Sequence, residues 1–199
     1  MNSDLRYSVF EAFAGGLPDE CPSGQANCVV KLALKHYGEE VHQVLEPEFA
    51  PKLYGCSRRE GTTPTVYVME LLPLPTKFVG GWFTLFTLTG SFKELVTPQI
   101  YENIFAILNK IVARLQARGL VHGDLRSNNI MVKMAHSGKV ADPVEIKVID
   151  FEWAGPVGSA RYPLRRNDNI GYPGKAGDLI GSNDDHLMVE RLQASMSVE

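Results

Sequence analysis

Residues 121–132 read V-H-G-D-L-R-S-N-N-I-M-V, and residues 146–152 read I-K-V-I-D-F-E. Each sets a polar cluster against an apolar, β-prone run, so the fold must hold two polar islands at the ends of buried strands. Residues 130–133 and 145–149 read as two short strands flanking a polar connector with Gly138 and Pro143, which predicts a hairpin. Asp124 and Asn129 are five residues apart. A loop between them can bring a carboxylate and an amide oxygen to one site, suited to proton acceptance and to a hard cation. A buried strand ending in Asp150 exposes that carboxylate at its tip, close to Asn129 at the start of the paired strand. Carboxylate, amide oxygen and retained water form a donor set for magnesium rather than zinc.

The remaining chain predicts a mixed scaffold. Residues 7–14 and 28–34 are β-prone runs separated by Gly15, Gly16, Pro18, Pro22 and Gly24, which reads as two antiparallel strands joined by a long hairpin loop. Residues 37–45 place Val41, Val44 and Leu45 on one helical stripe, and Pro47 and Pro51 stop that helix. Residues 65–72 are nearly all apolar and end at Pro73 and Pro75, as expected of a buried strand running into an extended connector. The clearest helix covers 98–118. Thr97 suits its N-cap, Pro98 its first turn and Gly119 its exit, with Ile100, Ile104, Ile107, Leu108, Ile111 and Leu115 as the buried stripe. Residues 151–178 show no period, and a final helix is expected over 184–193.

With 199 residues, 44% of them hydrophobic, the chain can bury a core without disulfides or a structural metal. A net charge of −3 gives no field able to hold a polyanion, so no nucleic-acid partner is expected. Cys21, Cys28 and Cys56 contain no C-x-x-C pair, which argues against a disulfide framework and a zinc site and for a reducing, cytoplasmic setting. The most apolar stretch, 78–88, is broken by Gly80, Gly81, Thr84 and Thr87 and is too short to cross a bilayer. No membrane partner is expected.

H-G-D-L-R-S-N-N followed by I-D-F-E resembles the catalytic loop and metal-binding motif of the protein-kinase-like superfamily. The resemblance implies an α+β, bilobal fold. Residues 1–73 would form a small antiparallel β-sheet lobe with one helix and the hinge, and residues 74–199 a reduced, mainly helical second lobe. It implies ATP and Mg²⁺ as cofactors. Asp124 would orient or deprotonate the acceptor hydroxyl, Asn129 and Asp150 would hold Mg²⁺, and Arg126 would face the transferred phosphoryl group. Cys28-Val29-Val30-Lys31 resembles the strand whose lysine contacts the ATP phosphates. Val68-Met69-Glu70-Leu71-Leu72 resembles the strand entering the hinge, with Met69 as gatekeeper and the backbone of Glu70 and Leu72 holding adenine. Glu40 lies about 90° from the centre of the Val41/Val44/Leu45 stripe and Glu39 points away from it, so Glu40 is taken as the partner of Lys31. An ordinary solvated Glu40 is the alternative.

Three features depart from the family. No G-x-G-x-x-G precedes Lys31, Gly123 follows His122 where the family has arginine, and Glu152 stands where D-F-G has glycine. Only 49 residues follow Asp150, which suits a truncated or minimal kinase of the kind common in fungi. The expected activity is transfer of the ATP γ-phosphate to a hydroxyl, with protein Ser or Thr ahead of small molecules. Small molecules stay open because H-G-D with I-D-F-E is also similar to choline kinases and aminoglycoside phosphotransferases. A pseudokinase that binds nucleotide without turnover is the alternative. Arg161, Arg165 and Arg166 are read as a solvated loop.

Overall fold

The computed structural model describes residues 7–15, 25–34, 36–57, 64–76 and 79–197. Strands β1 (Tyr7–Gly15), β2 (Gln25–Ala33), β3 (Leu53–Ser57) and β4 (Thr65–Glu70) form an antiparallel sheet in the order β1-β2-β4-β3. The expected pairing of the first two strands is present, with Lys31 opposite Val9 on one side and Tyr67 on the other. The connection between them, including Gly16, Pro18, Cys21 and Pro22, lies outside the described residues. Among the described residues Cys28 is buried and Cys56 exposed, and neither is in a disulfide.

Helix α1 (Glu39–Leu45) follows β2 and ends at Glu46, where the backbone turns extended ahead of Pro47. Its buried residues are Val41, His42 and Leu45, so His42 joins the inner face, while Val44 is half-buried at the margin and still packs against the core. Strand β4 ends at Glu70, two residues short of the expected 72. It buries Tyr67 and Met69 and leaves Val66 and Val68 half-buried, the alternation of a sheet with one face on the core.

The second part of the chain opens with two elements that had no sequence counterpart. Strand β5 (Gly81–Thr84) runs directly into helix α2 (Leu85–Ser91), whose first turn is capped by the Thr84 hydroxyl accepting from Thr87 N at 3.0 Å. A Cβ on Gly81 would lie 2.5 Å from the Pro73 carbonyl oxygen, so only glycine permits the connector to pass this close. Helix α3 (Pro98–Gln116) starts as expected, with the Thr97 hydroxyl accepting from Ile100 N and Pro98 in the first turn. Ile104, Leu108, Ile111 and Leu115 are fully buried, and each such side chain contributes roughly 1.5–3 kcal/mol by leaving water. Phe105 and Val112 join that face, while Ile100 and Ile107 are half-buried at its margin.

After α3, strand β6 (Leu120–Val121) leads to the polar loop, and β7 (Ile130–Met134) pairs with β8 (Ile146–Val148) as the expected hairpin. Strand β5 adds to it, giving the order β5-β7-β8. Strand β9 (Gly155–Pro156) pairs with β6. Helix α4 (Asp184–Ser197) runs past the expected end at 193. The architecture is α+β, with small antiparallel sheets, α1 beside the four-stranded sheet, and α2, α3 and α4 in the remainder. One continuous core joins Ala33, Tyr37 and Val41 to the α3 stripe and to Met188 and Val189 of α4.

The aperiodic stretch 151–178 is packed rather than loose. Tyr162 and Tyr172 are buried, and Tyr162 exchanges backbone hydrogen bonds with Asp178 and Gly177 at 3.0 Å each. Arg161 and Arg165 are exposed as expected, but the Arg166 side chain is only 8% exposed. Its guanidinium sits 4.9 Å from the ring centroids of both Tyr162 and Tyr172, so the solvated-loop expectation fails for this arginine. Among the described residues, no helix is long and apolar enough to cross a membrane.

Candidate functional site

The polar loop after β6 is fixed from three directions. Gly123 adopts φ +81°, and a Cβ there would meet Ile180 Cδ1 at 2.6 Å, so this position requires glycine on both counts. Leu125 is fully buried and anchors the loop between Asp124 and Arg126. From the first turn of α4, the buried Asp185 carboxylate accepts from His122 N at 2.7 Å and from Gly123 N at 2.8 Å. Burial nevertheless pushes the Asp185 carboxyl up to about 6.

Within that frame Asp124 and Asn129 do meet. Asn129 Nδ2 donates to Asp124 Oδ2 at 2.8 Å and to the Asp124 carbonyl at 3.0 Å, which turns the amide oxygen away from the aspartate. Arg126 Nε lies 3.2 Å from the same Oδ2, and the Tyr172 hydroxyl donates to Oδ1 at 2.8 Å. Asp124 is 2% exposed, and burial raises its carboxyl to about 6 against the opposing pull of Tyr172 and Arg126. His122 is fully buried, which holds it near 4 and therefore neutral.

Asp150 reaches the same place from the other strand. Ile149 N donates to the Asn129 carbonyl at 2.9 Å, which sets the two motifs side by side. Asp150 itself has φ +70°, a left-handed conformation that costs a non-glycine residue of order 1–3 kcal/mol and is kept mainly where it serves a site. Phe151 behind it is buried and stacks on His42. Phe151 also receives a backbone bond at its carbonyl from Gly38 N at 2.8 Å.

Lys31 points into the junction. Its Nζ lies 3.1 Å from Asp150 Oδ1 and 2.7 Å from Glu152 Oε1, with the Tyr37 ring 5.3 Å away. Burial and the neighbouring Asp150 raise the Glu152 carboxyl above its ordinary range. Glu40 is exposed and is not the acid that meets Lys31, a correction with a physical cause. Once His42 belongs to the buried face, the centre of that face shifts by about 50° toward Glu39 and away from Glu40. Glu39 is half-buried and accepts from Gln43 Nε2 at 3.2 Å.

These groups open on one cleft of about 390 Å³. Val29, Met69, Leu71, Leu72, Met131 and Ile149 give it apolar walls, and Lys31, Glu70, Asn129, Asp150 and Glu152 supply its polar end. An apolar slot with convergent polar groups at one end is the usual form of a small-molecule site. The Glu70 carboxylate also holds Lys147 at 2.5 Å and Lys52 N at 3.0 Å, which fixes the end of β4 against β8. Of the residues singled out from sequence, Lys31, Met69, Glu70, Leu72, Asn129 and Asp150 line the cleft, and Asp124 and Arg126 adjoin it through Asn129. Glu40 stays outside. Glu152, Asp185, Tyr172 and His42 were missed. Glu152 carried a signal, as an acid two residues from Asp150, whereas Asp185 and Tyr172 act on residues far away in sequence.

No family model matches the sequence. Among curated proteins, the chain is similar to the probable bifunctional tRNA threonylcarbamoyladenosine biosynthesis protein of Methanosarcina acetivorans. The identity is 29% over 144 residues, covering 61% of this chain and 24% of that protein. The protein of the same name from Methanosarcina barkeri is 29% identical over 119 residues, covering 57% of this chain and 20% of its own length. The chain thus spans about a quarter or less of the curated relatives it matches.

Proposed function

We propose that the cleft binds ATP with Mg²⁺ and passes the γ-phosphoryl group to a hydroxyl acceptor. The observation that carries this reading is the meeting of Lys31, Asn129 and Asp150, from three separate elements, at the polar end of one apolar slot, with Asp124 a single hydrogen bond away. Adenine would lie between Val29, Met69, Met131 and Ile149, with the 70–72 backbone along its edge. Lys31 would neutralise phosphate charge, Arg126 would face the transferred group, and Asp124, poised near 6, would take the acceptor proton. Asn129 and Asp150 fit Mg²⁺ because both offer hard oxygen donors, and the Asn129 amide oxygen is left free of Asp124. When bound, the cation supplies countercharge to the phosphates. The division into lobes at residue 73 and a protein Ser or Thr acceptor belong to the same reading. The name of the relatives adds a process: this phosphotransfer would serve tRNA modification, with tRNA as a partner of the system.

A second reading, nucleotide binding without turnover, is favoured by one observation. Lys31 is already engaged by Asp150 and Glu152, so the lysine and the metal-site carboxylate must part before both can act.

Thermal shift with ATP, with and without Mg²⁺, followed by ADP formation, tests the proposal. Metal-dependent binding and turnover are expected, with turnover lost in Asp124→Asn and metal dependence lost in Asp150→Asn. Binding without turnover selects the second reading, and no binding ends both. Adding tRNA is expected to change the rate of ADP formation, and an unchanged rate removes the tRNA connection.

A further inference from the structure

The two oxygens of Asp124 are used unequally. Oδ2 accepts from Asn129 Nδ2, and Arg126 Nε lies 3.2 Å from it, both part of the loop itself. The other oxygen, Oδ1, accepts from the Tyr172 hydroxyl at 2.8 Å. On the reading above, an acceptor hydroxyl must donate to Asp124, so Tyr172 already makes the acceptor's bond. Its ring is closely packed. It is 8% exposed and is held by Trp153 at 5.1 Å, Tyr162 at 5.8 Å and the Arg166 guanidinium at 4.9 Å. Such clamping supplies the orientation that makes an intramolecular step fast.

Two arginines, one beside Asp124 and one over the Tyr172 ring, add a second observation. Arg126 Nε and Arg166 Nη1 are both buried without a hydrogen-bond partner among the described residues. Arg126 Nε is near Asp124 Oδ2 but not aligned with it. Buried guanidinium N–H groups left unpaired are costly, and phosphoryl oxygens are the acceptors they match best.

We propose that Tyr172 is an intramolecular phosphoryl acceptor of this cleft, a proposal that rests on the nucleotide reading above. The Tyr172 O–H bond breaks as its proton passes to Asp124 Oδ1. A bond forms between the Tyr172 oxygen and the γ-phosphorus of ATP. The bond from that phosphorus to the β–γ bridging oxygen breaks, and ADP leaves with the electron pair. The phosphate on Tyr172 then pairs with Arg126 and Arg166 and occupies the approach to Asp124, so modification closes the site to outside hydroxyls.

Incubating the chain with ATP and Mg²⁺ and mapping phosphopeptides by mass spectrometry tests this directly. The expected result is one phosphoryl group on Tyr172, absent in Asp124→Asn, formed at a first-order rate independent of protein concentration. ADP formed in step with ATP added, but with Tyr172 unmodified, overturns the acceptor role and leaves the nucleotide reading standing. A rate proportional to protein concentration overturns the intramolecular route. Failure of ATP to bind in the thermal shift overturns both proposals together. In Tyr172→Phe, which keeps the ring, the phosphopeptide should vanish while ATP binding stays within twofold. Label persisting elsewhere at an unchanged rate overturns the proposal.

Discussion

The His42 imidazole lies flat on the Phe151 ring, with centroids 4.4 Å apart and planes within 9° of parallel. His42 sits on α1 and Phe151 follows Asp150, so this stack ties the helix beside the first sheet to the motif that carries the cleft's carboxylate. Tyr37 hydroxyl and the Pro51 carbonyl occupy the two ring nitrogens at 2.7 Å each. The imidazole is saturated with partners and cut off from water.

Burial holds His42 down to about 4, against an ordinary value near 6.5. The unfolded chain therefore binds more protons than the folded one between those values, and stability falls as pH drops through that window. For this group the loss between pH 7 and pH 5 is on the order of 1–2 kcal/mol. His122 acts in the same direction, while Asp124 and Asp185, raised to about 6, oppose it in an overlapping range. The informative quantity is thus the difference between the original chain and His42→Gln. Urea midpoints at both pH values should show the variant with the smaller acid loss, and equal losses would contradict the assignment.

Asp185→Asn should loosen the loop that it braces. An amide can offer only one oxygen where two backbone N–H groups now find a carboxylate, and an unsatisfied buried donor costs about 1–3 kcal/mol. The expected pattern is a lower urea midpoint and reduced ADP formation with ATP affinity retained, because Asp185 touches the loop and not the cleft wall. A parallel loss of affinity would mean that the whole site depends on it.

Glu152→Gln removes a carboxylate 2.7 Å from Lys31 at the polar end of the cleft. A triphosphate entering there is repelled by that charge, so the variant should bind ATP more tightly by on the order of 1 kcal/mol, or about fivefold. Titration calorimetry at fixed Mg²⁺ reads this out. Weaker binding would show that Glu152 positions Lys31 for phosphate instead of competing with it.

Gly123→Ala combines a left-handed backbone with a Cβ that meets Ile180 at 2.6 Å and Trp153 at 3.3 Å. Backbone strain and overpacking together should cost about 2–4 kcal/mol. A loss below 0.5 kcal/mol by urea unfolding would require the loop to have moved.

What the sequence made legible was whatever is encoded within a few residues. Thr97, Pro98 and the i, i+4, i+7 stripe of α3 are local signals, and they define that helix nearly to the residue. The Asp124/Asn129 spacing and the strand ending in Asp150 are likewise local, and the hairpin β7–β8 brings them together. Glu40 failed for a specific reason: a histidine satisfied by a tyrosine and a carbonyl can face the core, and counting His42 as polar rotated the whole face. Strand β5 and helix α2 escaped because four residues are too few to display a period. Threonines and a glycine in L-F-T-L-T-G-S, moreover, are weak helix formers that only the Thr84 cap and burial of Leu85 and Leu88 hold in place. The brace from Asp185 and the hydroxyl of Tyr172 belong to distant contacts, which no window of sequence contains.

Asp185 lies in the first turn of α4, beyond every other group at the site. As the chain emerges from the ribosome, Lys31, Asp124, Asn129 and Asp150 are all synthesised before the residue that clasps the loop between them. A nascent chain therefore gains the brace on this loop only once α4 has been made, so the clasp on the Asp124 loop forms later in synthesis than the cleft it steadies.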